Sequence, residues 1–177
     1  MSIRDVIRGL LKDKRLVHVP PQILGSSARR HVLLEASLFK SLGVAMFGKS
    51  DADKRRAMLW ADIDTFTSGK FISFGDDPYA KDKSAFMART DPVQQGIFDI
   101  RSIDPSPALR LFGAFTEIDT FVGLIVRTRK DLGGRDEPHF SMAMTDAQFE
   151  WNKLFPLHAP FYSKYPKEHV SQNVHIV

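Results

Sequence analysis

Arginine suits phosphate because its planar fork offers paired N–H donors to two oxygens at once. Three arginines fall on successive β-rich runs: Arg101 in 97–103, Arg110 in 108–116 and Arg127 in 120–128. A tight turn around Ile118-Asp119 sets Phe115 opposite Val122, Phe112 opposite Ile125 and Arg110 opposite Arg127. A four-residue loop at 104–107 sets Arg101 opposite Arg110. The three then form one row across the strands, with Arg129 one pair further along the same face and Lys130 beside it. Like charges directly opposed on a sheet repel, so the row asks for an anion or for nearby carboxylates such as Asp99, Glu117 or Asp131. A β-bulge in either hairpin would shift the register and scatter the set.

Two other chemistries compete. Residues 43–50, Gly-Val-Ala-Met-Phe-Gly-Lys-Ser, match the pattern of a nucleotide phosphate loop, in which backbone amides and the lysine hold phosphates. Its surroundings oppose that role: the residue pattern before it reads as a helix, Asp51 and Asp53 follow it, and the clearest strands downstream read as antiparallel. Four of the six histidines (His139, His158, His169 and His175) lie in the last 39 residues, without the i, i+4 spacing of a helical metal site. No metal and no cofactor is expected. Cysteine is absent, which removes disulfides, thiolate metal sites and cysteine nucleophiles.

The elements that must position these residues read as an α+β domain. The chain has 177 residues, 43% hydrophobic and 26% charged, a globular balance with length for one modest core. Ile3, Val6, Ile7, Leu10 and Leu11 make an amphipathic first helix whose polar face carries Arg4, Arg8 and Lys12. Residues 1–30 hold seven Lys and Arg against two Asp, a net of +5, within a formal total of +4. Such a basic arm at 1–25 fits an anionic partner, although docking of the helix on its own core explains the apolar stripe. A second helix is expected over 28–42, and Ser50 with Asp53 caps a third from Asp51 to about Thr67, burying Leu59, Ile63 and Phe66. Short strands are expected at 71–74 and 85–89, then a small antiparallel meander over 97–128. Thr145 with Gln148 opens a last helix to about Phe155. Residues 1–156 read as one domain, and the Pro- and His-rich stretch 157–177 as an extended or disordered tail. No apolar run reaches the ~20 residues of a membrane helix, so a cytoplasmic protein without membrane contact is expected.

The order of helices, a strand Gly96-Ile97-Phe98-Asp99-Ile100-Arg101, a strand Ala108-Leu109-Arg110-Leu111-Phe112 and an apolar strand Phe121–Val126 ending Arg127-Thr128-Arg129-Lys130 resembles the RelE/ParE superfamily of bacterial toxins, HigB-like members in particular. The resemblance spans residues 51–131. It implies a small antiparallel sheet flanked by helices, RNA cleavage at the ribosome for some members, and an antitoxin or other protein partner. By position it makes Arg110, Arg127, Arg129 and Lys130 candidate catalytic residues and Arg101 a nucleic-acid contact, joined by Arg4, Arg8 and Lys12 of the first helix. The chain departs from the family in carrying Asp99 where Glu is usual, in lacking a tyrosine or histidine soon after Lys130, and in its length. The favoured expectation is a toxin-like RNA-binding or RNA-cleaving protein, possible as an endoribonuclease. The alternatives are a non-enzymatic interaction protein of a phage or mobile element, and a nucleotide binder through 43–50.

Overall fold

A computed structural model describes residues 1–22, 28–43, 50–79, 84–133 and 138–177. The first helix, α1 (Ile3–Lys12), opens with a capping box between Ser2 and Asp5. Its apolar stripe packs on the body of the protein, with Leu10 buried and Ile3, Val6, Ile7 and Leu11 against the same cluster.

Two strands follow, β1 (Leu16–Val19) and β2 (His31–Glu35), where the sequence pattern predicts the basic arm of 1–25 and the start of a helix over 28–42. Helix α2 occupies only Ala36–Leu42. Val32, Leu33 and Leu34 are buried in succession, which fits a strand covered on both faces as well as a buried helix turn. Pairing decides between them, since β2 gains β1 on one side. Glu35 then closes the strand and starts α2, its carboxylate accepting the Leu38 N–H at 2.8 Å. Helix α3 (Asp51–Thr67) forms as expected, with Ser50 and Asp53 as its capping box and Leu59, Ile63 and Phe66 inward.

The remaining strands are β3 (Ile72–Gly75), β4 (Met87–Arg89), β5 (Ile97–Ser102), β6 (Leu109–Glu117), β7 (Thr120–Thr128) and β8 (Val174–Ile176). The sheet is eight-stranded in the order β1-β2-β7-β6-β5-β4-β3-β8. The α+β reading therefore holds, but the small antiparallel sheet does not. The antiparallel β5-β6-β7 meander lies at the centre of a mixed sheet in which β2 joins β7, and β3 joins β4 and β8, in parallel. Those additions come from strands of three to five residues, too short to show a period of their own.

Helix α4 (Pro138–Leu154) begins two turns earlier than its expected start at Thr145. Ala143, Met144, Ala147, Trp151 and Leu154 line its buried side. Helices α1 and α4 cover one face of the sheet and α2 and α3 the other, so the central strands are apolar on both sides.

Residues 157–177, expected as an extended or disordered tail, are part of this packing. Phe161 N–H donates to the Phe115 carbonyl at 2.7 Å, His169 and Val170 are fully buried, and β8 extends the sheet beyond β3. His169 supplies the reason the composition misleads: its ring sits among Phe98, Phe115 and Phe161, 4.8–5.3 Å between centroids, so a nominally polar residue fills the core.

Candidate functional site

The hairpin registers place Arg101 opposite Arg110 and Arg110 opposite Arg127, as the turns predict. Phe112 likewise faces Ile125. A bulge between Phe112 and Gly113 then shifts the register, so Phe115 faces Phe121 instead of Val122. A second shift between Phe115 and Glu117 cancels the first, so the register regained at Phe112 keeps Arg110 opposite Arg127. A side chain at Gly113 would run into the Val122 carbonyl and the Phe121 ring, which explains glycine at this close approach.

The environment of the row changes along it. Asp99, 1% exposed, receives Arg101 Nε at 3.2 Å and Arg110 Nη1 at 2.5 Å. Burial pushes the Arg101 guanidinium below its usual pKa; Asp99 opposes this, and Arg110 adds to it. Arg127 is more open, at 39% side-chain exposure, and pairs with Asp146 of α4 at 2.8 Å. Its Nη1 donates to the Val126 carbonyl at 3.0 Å. Arg129 donates to the Gly133 carbonyl, and Lys130 is exposed.

Arg127 also borders a cavity of about 560 Å³ between α2, the first turns of α3 and the end of β7. Ser37 and Ser41 of α2, Arg55 and Arg56 of α3, and Thr128 supply its polar lining, over an apolar floor that includes Leu38 and Val126. No carboxylate lines it among the described residues. On β7, strand β2 reaches only Thr120–Gly123, and α2 then turns the chain away, so the end of β7 presents an open edge toward α2. Arg56 is paired with Asp53, whereas Arg55 makes no ion pair among the described residues. Arg55 and Arg56 belong to the site although the strand pattern does not single them out; the signal was the run Lys54-Arg55-Arg56 directly after the helix cap.

The other expected residues are dispersed. Arg4 reaches Glu117, Nη2 to Oε2 2.5 Å, and Arg8 reaches Asp5 at 3.0 Å. Lys12 is exposed. Helix α1 lies on the opposite face of the sheet from α2 and α3, so Arg4, Arg8 and Lys12 are not gathered with the cavity. Residues 44–49 of the nucleotide-loop pattern lie outside the described residues. Its flanks are helix α2, ending at Gly43, and Ser50 at the cap of α3, not a strand and a helix. No group of three or more metal-binding side chains occurs among the described residues, and no described helix is long and apolar enough to cross a membrane.

Comparison with known proteins finds no matching family model, no matching curated protein and no matching solved structure.

Proposed function

We propose that the protein binds RNA through its phosphates, in the cavity at the end of β7. The observation that carries the reading is the lining: Arg55 and Arg56 of α3 and Arg127 of β7 all border the cavity, with Ser37, Ser41 and Thr128 and no carboxylate among the described residues, and Arg127 is held only by a surface pair with Asp146. Arginine forks with hydroxyl donors are the usual contacts to phosphate oxygens. Arg129 and Lys130 continue the positive track at the strand end. Arg101 and Arg110 serve the fold, because Asp99 already takes up their charge. The RNA part of the proposal draws on the RelE/ParE-like pattern of β5–β7. Binding is favoured over cleavage, because the described lining offers no side chain that exchanges a proton near neutral pH.

A protein partner is the second reading. Met142 and Phe149, two turns apart on α4, are 59% and 62% exposed. An apolar interface of that kind is nearly indifferent to salt.

The test is fluorescence anisotropy of a labelled single-stranded RNA at several salt concentrations. Three phosphate contacts predict a log–log slope of about −2, at about −0.7 per contact. Arg55→Ala/Arg127→Ala should lose about two thirds of that slope and weaken binding, while the RNA stays intact on a gel. Absence of binding, or an unchanged slope in the double variant, refutes the site.

A further inference from the structure

Away from that cavity, two imidazoles meet at the β1–β2 end of the sheet. His18 Nε2 and His31 Nδ1 are 3.3 Å apart, on adjacent antiparallel strands, with both side chains exposed. His18 lies two residues beyond Leu16 and His31 two before Leu33, so both point to the face that α1 covers. We propose that His18 and His31 form a two-histidine site for a nitrogen-preferring divalent transition metal of the Zn²⁺ class, with water filling the remaining positions.

The spacing is the main argument. Two nitrogens at about 2.0–2.1 Å from a tetrahedral zinc stand about 3.3–3.4 Å apart, the separation already present here. A metal therefore replaces the shared proton with little movement of the backbone. The outer nitrogens, His18 Nδ1 and His31 Nε2, bond to no protein group among the described residues, which leaves each able to hold the proton of a neutral ligand. Imidazole donors select zinc, copper and nickel over magnesium and calcium, which prefer oxygen. Strand β1 is the last of the sheet, so the site opens to solvent.

The experiment titrates Zn²⁺ into the full chain by calorimetry and follows the histidine ring signals by NMR, with Mg²⁺ in parallel. One equivalent of zinc should bind, shifting the His18 and His31 rings first. His18→Ala and His31→Ala should each weaken it by at least about tenfold, the low end of what disturbing even an outer-shell partner costs. His175→Ala, an exposed histidine on β8, should leave it unchanged. His18→Gln provides a second variant that keeps a polar side chain on β1. Zinc binding equal in all variants, ring shifts confined to other histidines, no zinc binding, or equal binding of Mg²⁺ would each overturn the site and leave a hydrogen-bonded histidine pair.

Discussion

Replacing Asp99 by Asn keeps the shape of the side chain and removes its charge, leaving Arg101 and Arg110 without their common partner. Asp99 is 1% exposed, and the Arg101 and Arg110 side chains are 4% and 14% exposed, so solvent cannot substitute for it. Breaking a buried ion pair by deleting one partner costs about 3–5 kcal/mol, because the other charge stays buried and unpaired. Both cations lose this carboxylate, which places Asp99→Asn within that range. For a domain of this size each kcal/mol lowers the Tm by about 2–4 °C, so a fall of about 6–20 °C is expected. Thermal melts and urea denaturation of the wild type, Asp99→Asn, Arg110→Met and the double variant measure the fall and the free-energy cost. The double variant should recover part of the loss, since one orphaned cation has gone with the carboxylate. A cost below about 1 kcal/mol for Asp99→Asn would refute the reasoning, and would return Arg101 and Arg110 to the set of residues open to a ligand.

His169 is buried neutral, its pKa pushed down to about 4 mainly by burial, with Arg89 adding to the shift. The unfolded chain takes up a proton near pH 6.5 that the folded protein refuses, so this stability is present above pH 6.5 and is lost as pH falls toward 4. The loss is about 2.5 kcal/mol by pH 4.5, and His169→Phe should flatten this part of a urea-derived stability profile; parallel profiles would contradict it. Gly113→Ala forces a Cβ toward the Val122 carbonyl, and should cost about 3 kcal/mol or more in a thermal melt. Ser50→Ala removes the hydroxyl that accepts the Asp53 N–H, and should cost about 1 kcal/mol by the same assay.

How much could be read in advance depends on whether an element declares itself locally. Helix α1 does so through its apolar stripe, α3 through a capping box followed by inward apolar residues, and β5–β7 through β-rich runs between turn residues. Strand β2 does not, because Val32, Leu33 and Leu34 suit a buried helix equally until β1 and β7 flank them. Strand β8 is a three-residue segment whose pairing depends on β3, a hundred residues earlier in the chain. The arginine row was legible because its register follows from two short turns, with the two shifts inside the second hairpin cancelling before Arg110. The partners of that row were harder to see. Asp99 serves two arginines at once, and Arg55 and Arg56 come to the cavity from a helix whose docking site lies on distant strands.

One row of identical side chains divides into two roles through burial alone. At β5 the strand lies inside the sheet, so the guanidinium must be paired to be there at all, and Asp99 pairs it. At β7 the neighbouring strand stops at Glu35, the edge opens, and Arg127 is left half-exposed with a surface carboxylate as partner. A surface pair of that kind is worth about 0–1 kcal/mol, so phosphate can displace Asp146 at small cost, whereas displacing Asp99 would strand a buried charge. The early end of β2 thus opens the cavity beside β7 and leaves at its border the arginine least committed to the fold.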